Sequence, residues 1–114
     1  MNTSTQTIER TALSQLVSNE EFARKVLPHM KGDYFSDRTE RTIFEEIEKF
    51  VDKYQKIPTP TSLEIEVQSR KDLNESDYQK VVDIIKTLNP SEVDFDWLVD
   101  TTEKFCKDKA VYNA

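Results

Sequence analysis

"IFEEIEKFVDKYQKIPT", residues 43–59, is the stretch whose reading decides the fold. Ile43, Phe44, Ile47, Phe50, Val51 and Tyr54 recur at steps of three and four, the period of one helix face, while Glu45, Glu46, Glu48, Lys49, Asp52 and Lys53 take the other faces. The spacing predicts a central core helix over residues 37–55, capped by Ser36. Phe44 and Phe50 read as ordinary packing residues rather than ligand contacts.

Downstream, Thr59 followed by Pro60 is a polar cap with proline at the first helical position. A short helix over 60–70 is expected, with Leu63 and Val67 on one face and Ile65 off the stripe. The alternation in "LEIEV" also fits a strand, but no partner strand is evident elsewhere. Asn74 caps a helix near 75–88 with Tyr78, Val81, Val82, Ile85 and Leu88 inward, and "NPSEVD" ends it. The last helix starts at Asp94 or Asp96, where an acid suits the positive end of the helix dipole. Phe95, Leu98, Thr102 and Phe105 form its inward face, which thins through Asp108 and Lys109 to Tyr112.

Upstream, Ile8, Ala12, Leu13, Leu16 and Val17 mark a first helix, and Ser18 with Glu21 reads as a capping box for a second. Phe22, Val26 and Leu27 point inward there. Pro28 disfavours helical geometry at Leu27, so that helix is expected to break or kink before Gly32 supplies a turn and Phe35 returns to the core.

At 114 residues the chain suits one domain. One glycine and four prolines speak against hairpins and glycine-cradled nucleotide sites. Cys106 has no cysteine partner, and with His29 it makes no zinc spacing. The start lacks a basic segment followed by an apolar run, and no membrane span is present, so a cytoplasmic location is expected. The net charge is −6; residues 1–57 hold 10 acids and 9 bases, residues 58–114 hold 12 and 7. That balance opposes phosphate binding, and the basic pairs Arg24-Lys25 and Arg70-Lys71 read as solvated helix faces. The acid pairs Asp94/Asp96 and Glu45/Glu46 likewise read as exposed carboxylates.

With "VLPHMKGDYF" (26–35), residues 43–59 and "WLVDTTEKFCKDKAVYNA" (97–114), the layout resembles the N-terminal domain of DnaB-type replicative helicases, in the shorter form of T-even-type bacteriophages. In that family an aromatic after a short loop precedes a long helix, then "IP" or "PI" and a polar cap, and the final helix leads into a helical hairpin. The resemblance implies an all-α bundle of about six helices: residues 1–7 a flexible tail, 8–96 the globular domain, 97–114 the start of the hairpin, with the chain a fragment ending inside it.

The family unwinds DNA with a RecA-like motor that binds ATP and Mg²⁺ through a G-x-x-x-x-G-K-S/T loop. One glycine cannot make that loop. No catalytic, cofactor-binding or metal residue is therefore assigned, and His29 and Cys106 count as structural. The resemblance implies a collar domain that contacts other helicase subunits in a hexameric ring and receives primase and loader; the acidic balance predicts no direct DNA binding by this domain. Phe105, Lys109, Val111 and Tyr112 are the expected contact residues. A free-standing helical phage adaptor for a replication protein is the alternative.

Overall fold

The computed structural model describes the backbone of residues 4–89 and 93–112 and the side chains of residues 8–89 and 93–111. Six α-helices follow in chain order: α1 Ser4–Leu16, α2 Glu20–Val26, α3 Arg38–Tyr54, α4 Pro60–Gln68, α5 Glu75–Lys86 and α6 Phe95–Tyr112. Two 3₁₀ turns, Leu27–His29 and Gly32–Tyr34, lie between α2 and α3. No strand occurs among the described residues. The all-α class read from the sequence holds, and "LEIEV" is helical. Leu63 and Val67 of α4 are buried while Ile65 is 57% exposed, as the stripe required.

The second and third caps fall one residue later than expected. Asn19, not Ser18, caps α2 by accepting from the Phe22 amide at 3.0 Å. Ser18 is still held by the end of α1: its hydroxyl donates to the Ser14 carbonyl at 2.8 Å and its amide to Gln15. Asp37, not Ser36, caps α3 through the Glu40 amide at 3.2 Å, because the Ser36 hydroxyl reaches Glu9 instead. Thr59, Asn74 and Asp94 cap as expected, accepting from the amides of Ser62, Asp77 and Trp97. At Pro28 the chain tightens into the first 3₁₀ turn without leaving helical space, since Leu27 keeps φ −56°, ψ −40°. The terminator expected at "NPSEVD" includes residues 90–92, which lie outside the described residues. α1 is already helical at Ser4, within the stretch set apart as a tail.

α3 sits at the centre, packed on α1, α4, α5 and the Gly32–Tyr34 turn, and α6 closes over α1, α2 and the same turn. Ile43, Phe44 and Ile47 are fully buried. Phe35, from the loop before α3, joins the two halves: its ring stacks on Phe44 at 5.1 Å and meets Phe105 of α6 edge-on at 6.5 Å. The buried face of α3 ends sooner than its periodicity suggested. Phe50 and Val51 are only half-buried and Tyr54 is 45% exposed, because the last turns of α3 run past the helices covering its middle. Phe50 packs there on Tyr54, with ring centroids 4.7 Å apart.

α3 stops at Gln55, whose φ of 58° is left-handed and whose amide donates to the Val51 carbonyl at 2.8 Å. Glycine is the usual occupant of such a position because a Cβ is crowded there. Gln55→Gly is expected to raise the unfolding free energy by about 0.5–1 kcal/mol, read as a higher urea midpoint at unchanged slope.

Candidate assembly surface

α6 carries all four residues expected to meet a partner, and the structure places them in three different settings. Phe105 is half-buried, its ring held against Phe35 of the domain's own core. The Lys109 ammonium lies 5.8 Å from the centre of the Phe105 ring, a cation–π distance that covers this ring from outside. Val111 is 79% exposed. Tyr112 is the last residue of the helix, and its side chain lies outside the described residues.

Cys106, one residue beyond Phe105, is buried, and burial followed by the negative charge of Glu103 pushes its thiol up to about 11. It packs as a small neutral side chain. The first three turns of α6 therefore belong to the core through Leu98, Thr102 and Cys106, and the last turn presents Ala110 and Val111 to water. Between α6 and the 3₁₀ turns a recess of about 520 Å³ is bordered by Pro28, His29, Lys31 and Tyr34 on one side and by Glu103, Lys107 and Ala110 on the other.

A larger recess of about 720 Å³ lies between α2 and the last turns of α3. Ala23, Leu27, Met30, Val51 and Ile57 make its apolar floor. This is why Val51, expected in the core, is only half-buried. Around the rim stand Glu20, Glu48 and Asp52 with Arg24, Lys31 and Lys56. Glu20 pairs with Arg24 one turn on. Burial, then the charges of Asp52 and Glu45, raises the Glu48 carboxyl. Three acids and three bases share this rim, so it selects no sign of charge in a partner.

Two buried ionic clusters were not foreseen. Glu46 is buried, not exposed, and accepts from Arg70 at 3.0 Å and from Lys49 at 3.2 Å. Arg70, read as part of a solvated basic pair, has a side chain only 16% exposed and also grips Asp72 with two nitrogens, at 2.9 and 2.6 Å. That grip holds the Asp72 carboxyl down at about 2. On the other side of α3, Glu9 and Glu40 are both buried, with Arg10 Nε 2.6 Å from Glu40. A helical period shows that Glu9 and Glu46 are polar, but not that the packing partner reaches across to cover them. The one usable signal was Arg70, a cation placed just past a helix end. Among the described residues no group of three or more His, Cys, Asp or Glu is placed to hold a metal, and no helix is long and apolar enough to cross a membrane.

The fold is an all-α domain with surface recesses and a half-exposed last helix, and among the described residues its buried carboxyls Glu9, Glu40 and Glu46 are each held by neighbouring side chains. Residues 1–96 match the family described as DnaB-like helicase N terminal domain, and the chain belongs to that family. It is 30% identical over 102 residues to a DnaB-like replicative helicase of Enterobacteria phage T4. That alignment covers 90% of the chain but 21% of the phage T4 protein. The family match ends at residue 96, before the four expected contact residues.

Proposed function

We propose that the chain is the assembly and partner-docking domain of a hexameric, ATP-dependent replicative DNA helicase working at the replication fork in the host cytoplasm. The observation that carries this reading is its membership of the DnaB-like N-terminal family together with its span of one fifth of a replicative helicase. ATP and Mg²⁺ would bind a motor domain outside this chain, whose single glycine cannot form a phosphate-binding loop. The partners are other helicase subunits, primase and a loader. The acidic balance of the domain leaves DNA contact to the motor.

Val111 gives the direct test, since it is exposed and bonded to nothing in the core. In the full-length helicase, Val111→Asp is expected to weaken ring assembly in sedimentation velocity or the retention of primase and loader in a pull-down. Domain stability should stay within about 0.5 kcal/mol, as for surface changes generally. Unchanged assembly and retention in Val111→Asp, and again in a helicase lacking residues 1–94, would remove the proposal.

A further inference from the structure

Glu9 and Glu40 are 0% and 2% exposed, lie against each other between α1 and the first turn of α3, and are bonded by one cation, Arg10, on the Glu40 side. The donors can be accounted for atom by atom. Glu9 accepts from the Ser36 hydroxyl at 3.1 Å and from the Ser36 amide at 3.4 Å. Glu40 Oε2 accepts from Arg10 Nε at 2.6 Å. Glu40 Oε1 is buried with no donor. Two ionised carboxylates here would leave one negative charge buried without a partner, a state that proteins avoid by taking up a proton. One proton on Glu9, aimed at Glu40 Oε1, resolves both the surplus charge and the orphaned oxygen.

We propose that Glu9 and Glu40 hold a single proton between them and that this proton latches helix α1 to the start of α3, its loss loosening α1. The proton belongs on Glu9 because the Arg10 guanidinium already sits on Glu40. The charged groups around the pair are Arg10 on α1, and Asp37 and Arg41 on the α3 side. Asp37 accepts from the Glu40 amide, and Arg41 donates through Nη2 to the Phe35 carbonyl while its buried Nε has no acceptor and bonds neither carboxyl. From α2 and α6 no charged side chain bonds either carboxyl among the described residues. Ser36 is exposed, so the proton has a short way to water.

Burial, and after it the hydrogen bond with Glu40, raises Glu9 from 4.5 to about 7. A group raised on folding contributes stability that is full below its unfolded value and is lost as pH rises through its folded one. The window is therefore pH 4.5 to about 7. Nothing in the sequence marks it, because Glu9 and Glu40 are thirty-one residues apart.

Glu9→Gln keeps the shape and gives Glu40 Oε1 a permanent donor. The ratio of its folding equilibrium constant to that of the unmodified chain, from urea unfolding, is expected to grow about seventyfold from pH 5 to pH 8. Amide exchange in α1, corrected for its intrinsic pH dependence, should quicken over the same range in the unmodified chain and not in Glu9→Gln. Carbon-detected NMR of the unmodified chain should show a glutamate carboxyl titrating near neutrality. A ratio that stays constant from pH 5 to pH 8, with every glutamate carboxyl titrating below pH 5.5, would overturn the latch.

Discussion

Phe35→Ala is expected to lower the unfolding free energy by about 3–5 kcal/mol, the range for truncating a fully buried aromatic ring. Phe35 is fully buried although it lies in a loop, and it is the one ring that touches both the central helix, through Phe44, and the closing helix α6, through Phe105. Truncation removes a large apolar side chain and two ring contacts, and the backbone cannot collapse into the space. The Phe35 carbonyl is fixed by Arg41 at 3.3 Å, and its amide by Gly32 at 3.0 Å. Phe50→Ala, half-buried at the end of the same helix, should lose clearly less. Urea unfolding of the two variants decides the matter. Equal losses, or a loss under about 1 kcal/mol for Phe35→Ala, would mean that α6 is not held through this ring.

Arg70→Ala is expected to cost about 3 kcal/mol, since it strands the buried Glu46 carboxylate. Lys49 also reaches Glu46, at 3.2 Å, but its side chain is 66% exposed and its ammonium is shared with water. Asp72→Asn should move the unfolding midpoint little, because Asp72 lies in solvent at the far side of the guanidinium. The pair Glu46→Leu with Arg70→Met should recover most of the loss: an apolar pair of similar volume needs no compensating charge. A loss below about 1 kcal/mol in Arg70→Ala would show that Lys49 alone satisfies Glu46. Failure of the double variant to recover would show that the link between α3 and the end of α4 requires hydrogen bonds rather than packing.

The helices themselves were legible in the sequence because helix signals are local. Apolar steps of three and four placed Ile43, Phe44 and Ile47, and Thr59-Pro60, Asn74 and Asp94 each marked a start through a bond made within three residues. Ser18 and Ser36 failed as caps for a different reason. Each is a good cap by type, but each hydroxyl found another acceptor: the Ser14 carbonyl behind it for one, the Glu9 carboxyl group across the fold for the other. Residue type states what a side chain can bond, and only its neighbours in space settle what it does bond.

Burial along α3 shows the same division. Its period named the inward face for the whole helix, but period carries no information on how far the covering helices extend, so Phe50, Val51 and Tyr54 were placed too deep. Of the expected contact residues, Val111 could be read as unsupported from the thinning of apolar positions along α6. That Phe105 is bound to Phe35, seventy residues away in sequence, could not. The sequence by itself determined the class, the helices, most of their caps and the family. Tertiary structure decided which charges are buried. Glu9, Glu40 and Glu46 differ in no local respect from their solvated neighbours, and the free energy of a charge depends on the solvent and counter-charge that packing brings to it from distant parts of the chain.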